Sequence, residues 1–133
     1  MAETRGYRGY IGSRPYFGQR APQHVQNLVV RDYCRRLEAE YLLSVTEYAM
    51  PGCFIMLEEA LRELPRIGGI VLYSLFMLPE AKDRRRALYD RVLGQGASLH
   101  GAVEGIAIAT EADIARVEDI WAVHQLTWTR AAP

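Results

Sequence analysis

Ile70-Val-Leu-Tyr-Ser-Leu-Phe76 is a nearly continuous apolar run, preceded by Gly68-Gly69 and followed by Pro79. A half-exposed strand would alternate apolar and polar residues; this one does not. A strand apolar on both sides belongs at the centre of a parallel sheet, between two layers of helices. The rest of the chain is read outward from that strand.

Toward the N-terminus, Cys53 to Leu64 predicts a helix with Leu57, Ala60, Leu61 and Leu64 inward, ended by Pro65 and the glycine pair. Before it, Tyr41 to Val45 is a short strand. Gln23 to Glu38 predicts a helix with the apolar stripe Val25, Leu28, Val29, Tyr33 and Leu37. Tyr7 to Ile11 is an opening strand, which Gly12 ends with a residue free to take positive φ. Toward the C-terminus, Pro79 and Glu80 open a helix through Leu93. Ala97 to Val103 is a fourth strand, and Ile106 to Ala109 is a candidate fifth. Thr110 caps a last helix, with Asp113 placed to reach back to it. Thr127 to Pro133 is expected to fray. The alternation predicts one three-layer α/β domain over 1–133, with a mainly parallel sheet in the order 2-1-3-4 and a C-terminal helix.

Composition narrows the function. A chain of 133 residues, half of them hydrophobic, supports one core. Lys+Arg and Asp+Glu are both 16, so no global field draws the protein to nucleic acid or to an anionic membrane. Arg35-Arg36 and Arg84-Arg85-Arg86 are interleaved with acids and read as solvated helix faces. Cys34 and Cys53 match no metal-ligand spacing; with no leader-like run in front, reduced thiols in a cytoplasmic protein are expected. No apolar run reaches the roughly 18 residues of a membrane span. Neither GxGxxG nor HExxH occurs, so no cofactor and no metal are expected.

The densest polar stretch runs from Gly12 to His24, beyond the first strand. Pro15 and Pro22 restrict a loop that holds Ser13, Arg14, Tyr16, Arg20, Gln23 and His24. Ligands of parallel sheets bind beyond the carboxyl ends of the strands, where the strand order reverses. Glu47 and Tyr48 follow the second strand, Ser74 lies near the end of the third, and Glu104 ends the fourth. The expectation is a single pocket. Glu47, His24, Ser13 and Glu104 are its candidate acid–base or nucleophilic groups. Arg14 and Arg20 suit an anionic group, since a guanidinium fork binds phosphate or carboxylate bidentately. Tyr10, Tyr16, Gln23, Tyr48 and Ser74 complete the wall. Glu47 has the alternative role of capping the helix after Pro51. His100, inside a buried strand, reads as a core histidine.

Two resemblances follow from these residues. RGYRGYIGSRPYFGQRAPQHVQNLVVRDYC, TEYAMPGC, GIVLYSLFMLP and LHGAVEG resemble the bacterial "sporadic carbohydrate cluster" protein family. That implies a place among surface-polysaccharide and sugar-nucleotide genes, with no catalytic residues to carry over. The element order is also similar to the catalytic domain of serine recombinases, the resolvase–invertase family, and so implies a resolvase-like or flavodoxin-like sheet. The catalytic motif departs from that family: Tyr10-Ile-Gly-Ser13-Arg14 stands where the family has Tyr-x-Arg-Val-Ser. Leu75 to Pro79 carries no charge where the family places an Asp-Arg pair. In that family the last long helix makes the dimer, which suggests the same use for the face bearing Ile114, Ile120 and Trp121.

The expected function is a small enzyme of surface-polysaccharide or sugar-nucleotide biosynthesis, doing acid–base chemistry on a sugar phosphate or nucleotide sugar. The alternatives are a non-catalytic carbohydrate- or nucleotide-binding or scaffold protein, and a degenerate recombinase-like DNA-binding protein. The expected partners are an anionic sugar-type small molecule and a second copy of the chain, with no nucleic acid and no membrane.

Overall fold

The computed structural model describes residues 6–131, the side chains of 129–131 excepted. In chain order the elements are β1 (Tyr7–Gly12), α1 (Gln23–Arg36), β2 (Tyr41–Glu47), α2 (Ile55–Arg62) and β3 (Gly69–Leu72). A single 3-10 turn (Leu75–Met77) follows, then α3 (Lys82–Gly94), β4 (Ser98–Gly101), β5 (Ile106–Ile108) and α4 (Glu111–Ala131). The sheet has the order β2-β1-β3-β4-β5. Its first four strands are parallel, and β5 runs antiparallel on the edge of β4.

β3 is central, and all of its residues are buried. Ile70 and Leu72 face the larger core, with residues of α2, α3 and α4. Val71 faces the smaller core, where Ile11 packs on Val30, Tyr33 and Cys34 of α1. The expected three-layer α/β sheet is therefore present, with α1 alone on one face. β3 ends at Leu72 rather than at Phe76. Ser74 stops it: its hydroxyl accepts from Phe76 N at 3.2 Å and caps the 3-10 turn, while Leu75 N donates to Glu104.

α1 is rotated from its expected stripe. Gln26, Val30, Tyr33 and Cys34 are buried, whereas Leu28 is 61% exposed and Leu37 45%. The cause is Gln26, whose amide accepts from Gly12 N at 3.1 Å and donates to Gly12 O at 2.6 Å and Ala21 O at 2.8 Å. A buried amide must satisfy its donors and acceptor, and these partners fix the helix's face.

α4 begins with the expected reciprocal cap: Asp113 N donates to Thr110 Oγ1, and Ala109 N and Thr110 N donate to Asp113 Oδ2. Ile114 and Trp121, expected on an oligomer face, are 2% and 0% exposed within their own chain. Ile120 is partly buried against the same core. The helix continues to Ala131, past the point where fraying was expected, and residues 132–133 lie outside the described ones. No helix of the described residues is long and apolar enough to cross a membrane.

The arginine run on α3 is not uniformly solvated. Arg85 is 2% exposed. It donates from Nε and Nη2 to the two oxygens of Glu118 at 2.9 and 2.8 Å, and from Nη1 to the carbonyls of Pro79 and Glu80. Its guanidinium lies 4.0 Å over the Trp121 ring, and Tyr89 OH donates to Glu118 at 2.8 Å. Burial alone would raise the Glu118 carboxyl, but the Arg85 and Tyr89 hydrogen bonds outweigh it and lower its pKa. His100 is the core residue expected: Tyr33 OH lies 2.7 Å from Nδ1 and Ser98 Oγ 2.7 Å from Nε2.

Candidate functional site

The carboxyl ends of β1 and β2 open onto a cleft of ≈ 520 Å³. Its lining includes buried Tyr10 and Glu47, half-buried Arg14, Tyr16, Phe54 and Phe76, and exposed Glu80 and Arg84. Four of the expected site residues, Tyr10, Arg14, Tyr16 and Glu47, meet here.

Glu47 ends β2, 4% exposed, and points at the start of α2. Met56 N and Leu57 N donate to it at 3.0–3.1 Å, Tyr48 N at 3.1 Å and Tyr10 OH at 2.9 Å. Cys53 Sγ lies 3.8 Å from Oε2. The N-cap residue of α2, Phe54, contributes no side-chain cap. Glu47 supplies one from a neighbouring strand, placing negative charge where the exposed N–H groups of a helix start favour it. Of the two roles weighed for Glu47, the cap is the one its geometry fills.

Arg14 donates from Nη1 to Met50 O at 2.9 Å and Cys53 O at 2.7 Å, which pins it against the β2–α2 turn. Its guanidinium sits 4.7 Å from the Phe54 ring centre, and that of Arg84 sits 5.2 Å from the same centre. Neither arginine forms an ion pair among the described residues. Both tyrosines are held as neutral hydroxyls. Burial, with Glu47 beside it, raises the Tyr10 phenol far above its ordinary range, against a smaller opposing effect of Arg14. Burial pushes Tyr16 up to about 12.

The remaining expected residues lie elsewhere. The tip of β1 divides the loop: Gly12 and Arg14 line the cleft, whereas Ser13 lines a shallow depression with Arg20, Gln23 and His24 at the start of α1. The single pocket expected from the sequence is thus two. Neither Ser13 nor His24 lines the cleft with Glu47. Glu104 accepts from Ser74 Oγ at 2.7 Å and Leu75 N at 2.9 Å, so it holds the 3-10 turn. A side chain at Gly101 would collide with it and with Leu75, at 2.6 and 2.4 Å. Ser74 is 1% exposed, and Tyr48 is 52% exposed and does not line the cleft.

The loop carrying Arg14 and Tyr16 is a small hairpin. Tyr16 and Gln19 exchange both backbone hydrogen bonds, at 3.1 and 2.9 Å, around Phe17 (φ 48°) and Gly18 (φ 72°). Two positive φ values at the central positions match the tight turn that strand twist favours, with glycine at the second position. Phe17 anchors the tip on α4 by edge contacts with Trp121, His124 and Trp128, while His124 stacks on Phe76 at 4.0 Å. Phe54, Arg84 and Gln26 went unrecognised as site-forming residues. Arg84 differed in no visible way from its two neighbours in the run, and Gln26 is a single polar residue at a helical position.

A scan against protein-family models finds no match, and a search of curated proteins finds none. Among solved structures, the chain is similar to the crystal structure of a resolvase family site-specific recombinase from Streptococcus pneumoniae. The two superpose with a TM-score of 0.64 at 10% sequence identity, over 91% of this chain and 89% of that one. The fold is resolvase-like.

Proposed function

We propose that the cleft binds a small anionic molecule of the sugar-phosphate or nucleotide-sugar type, in a cytoplasmic protein of surface-polysaccharide biosynthesis. The observation that carries this reading is the pair Arg14 and Arg84, neither in an ion pair among the described residues and both set against Phe54 in an aromatic-walled cleft that Glu47 and Glu80 also line. Phosphate groups are met by such guanidinium pairs, and sugar rings and bases lie on aromatic faces. The resemblance of four sequence blocks to the sporadic carbohydrate cluster family implies the company of sugar-nucleotide genes, and a ligand of this class fits that company. A binding role fits better than proton transfer through Glu47, because that carboxylate already accepts from three backbone N–H groups and a phenol. Recombinase chemistry is not carried over, since the likeness to the solved recombinase comes at 10% identity.

Titration calorimetry with sugar 1-phosphates and nucleotide sugars tests the proposal. A charge-assisted contact contributes about 1.5–3 kcal/mol, so Arg14→Ala is expected to weaken binding by roughly tenfold or more with the fold intact. Affinity unchanged in both Arg14→Ala and Arg84→Ala would overturn it. Glu47→Gln turning over substrate normally, once one is found, would confirm that Glu47 is a cap and not a proton donor.

A further inference from the structure

The cleft adjoins a second cavity. A groove of ≈ 530 Å³ runs between α2 and α3, with Leu57 and Leu61 in its floor and Ile55, Ala87 and Leu88 along its sides. Among the described residues, Phe54 and Arg84 alone line both cavities. Each volume falls in the roughly 300–1,000 Å³ range of small-molecule sites. The acids on the groove's rim are already matched: Glu58 receives Arg91 at 2.7 Å, and Glu59 receives Arg62 at 2.6 Å. Arg84 is exposed, and its guanidinium lies 5.2 Å from the Phe54 ring. Arg84, in no ion pair among the described residues, therefore sits at the junction, between a cleft that also holds Arg14, Glu47 and the exposed Glu80 and a groove with an aliphatic floor and a rim of paired charges.

We infer that the cleft and the α2–α3 groove form one bipartite site for an amphiphilic phosphate ester, with the phosphate at Arg14 and Arg84 and an aliphatic chain in the groove. The inference rests on the anionic reading of the cleft and extends it. A purely polar ligand would leave the aliphatic groove unused, while Ile55, 53% exposed beside buried Leu57 and Leu61, offers surface that a chain can cover. A prenyl phosphate, or a sugar joined to a prenyl chain through phosphate, has this order of parts. Its charged group would meet Arg84 where the cavities join, with Arg14 on the cleft side.

The test compares methyl phosphate with geranyl phosphate, below the concentration at which the latter forms micelles, by calorimetry on the wild-type chain and on Ala87→Trp and Arg84→Ala. Geranyl phosphate is expected to bind at least tenfold more tightly than methyl phosphate. Ala87→Trp should abolish that gain by filling the groove and leave methyl phosphate unaffected, whereas Arg84→Ala should weaken both. If Ala87→Trp does not fold, as judged by circular dichroism, Ile55→Asp at the rim serves instead. Equal affinity for the two esters, with binding still sensitive to Arg84→Ala, overturns the bipartite site and leaves the anionic cleft standing. Geranyl phosphate binding that ignores Arg14→Ala and Arg84→Ala overturns both. A change in oligomeric state of ligand-free Ala87→Trp, seen by light scattering, assigns the groove to a second copy of the chain and overturns the inference.

Discussion

Glu47 and Glu118 are both acids drawn into the body of the protein, and each holds a tyrosine hydroxyl, Tyr10 in one case and Tyr89 in the other. Their remaining partners differ. Glu118 faces the guanidinium of Arg85 through two parallel hydrogen bonds, and Arg85's Nη1 is bound by two carbonyls. Charge is cancelled inside that cluster, which joins α3 to α4. Glu47 has no cation hydrogen-bonded to it and is held by the amides that begin α2. The arginine beside it, Arg14, donates to carbonyls of the turn and forms no ion pair. A buried acid matched by an arginine makes a structural joint. One matched by a helix start leaves the neighbouring arginine without an ion pair.

The largest effect expected from disturbing this contrast is at Arg85. Arg85→Ala leaves Tyr89 and the partly buried Glu118, 15% exposed, without their cation; breaking one side of a fully buried pair costs about 3–5 kcal/mol, and a loss at the lower end of that range is expected here. Urea unfolding checks it; a loss of less than about 1 kcal/mol would show Glu118 satisfied by solvent and the two acids alike. His100 extends the comparison to a group buried neutral. Burial lowers its pKa from 6.5 to about 4. The unfolded chain therefore binds the proton first as pH falls. The stability from His100 is full above pH 6.5 and lost as pH drops through about 4, in total about 3 kcal/mol. Unfolding free energies between pH 4 and 7, compared with those of His100→Gln, are expected to show a steeper fall in the wild type. Parallel profiles would remove His100 as the cause.

Glu47→Ala comes next, at about 2 kcal/mol, from a lost helix cap and an unpartnered Tyr10 hydroxyl. Thermal denaturation measures it, and Glu47→Gln, which keeps one acceptor, is expected to fall between the two. A Glu47→Ala protein as stable as wild type would mean that α2 starts unaided. The smallest effect belongs to Thr110→Ala, about 1 kcal/mol from the cap of α4. A larger loss than at Glu47 would reverse the ranking of buried over exposed caps.

These two caps also mark how far the sequence could be read. Thr110 and Asp113 are three apart, and a bond at that spacing belongs to one helix start whatever surrounds it. The apolar run from Ile70, the alternation of strands and helices and the polar rim at the strand ends were legible for the same reason. Periodicity and turn residues act on neighbours in the chain. The strand order 2-1-3-4 followed from known rules of such sheets.

The pairings that shape the site span longer separations. Gln26 reaches back 14 residues to Gly12 and thereby turns α1; Arg85 reaches 33 residues to Glu118. Glu47 finds the amides of α2 across 9 and 10 residues of turn. Ser13 and Arg14, adjacent in the chain, were expected in one pocket, but successive residues at a strand tip point to opposite sides of the sheet. The sequence accordingly pointed to Tyr10, Arg14, Tyr16 and Glu47 but not to Phe54 and Arg84. Which of the rim residues share a cavity, and which of three consecutive arginines is buried, depended on packing between elements, where a polar group's partner is set by distance in space rather than along the chain.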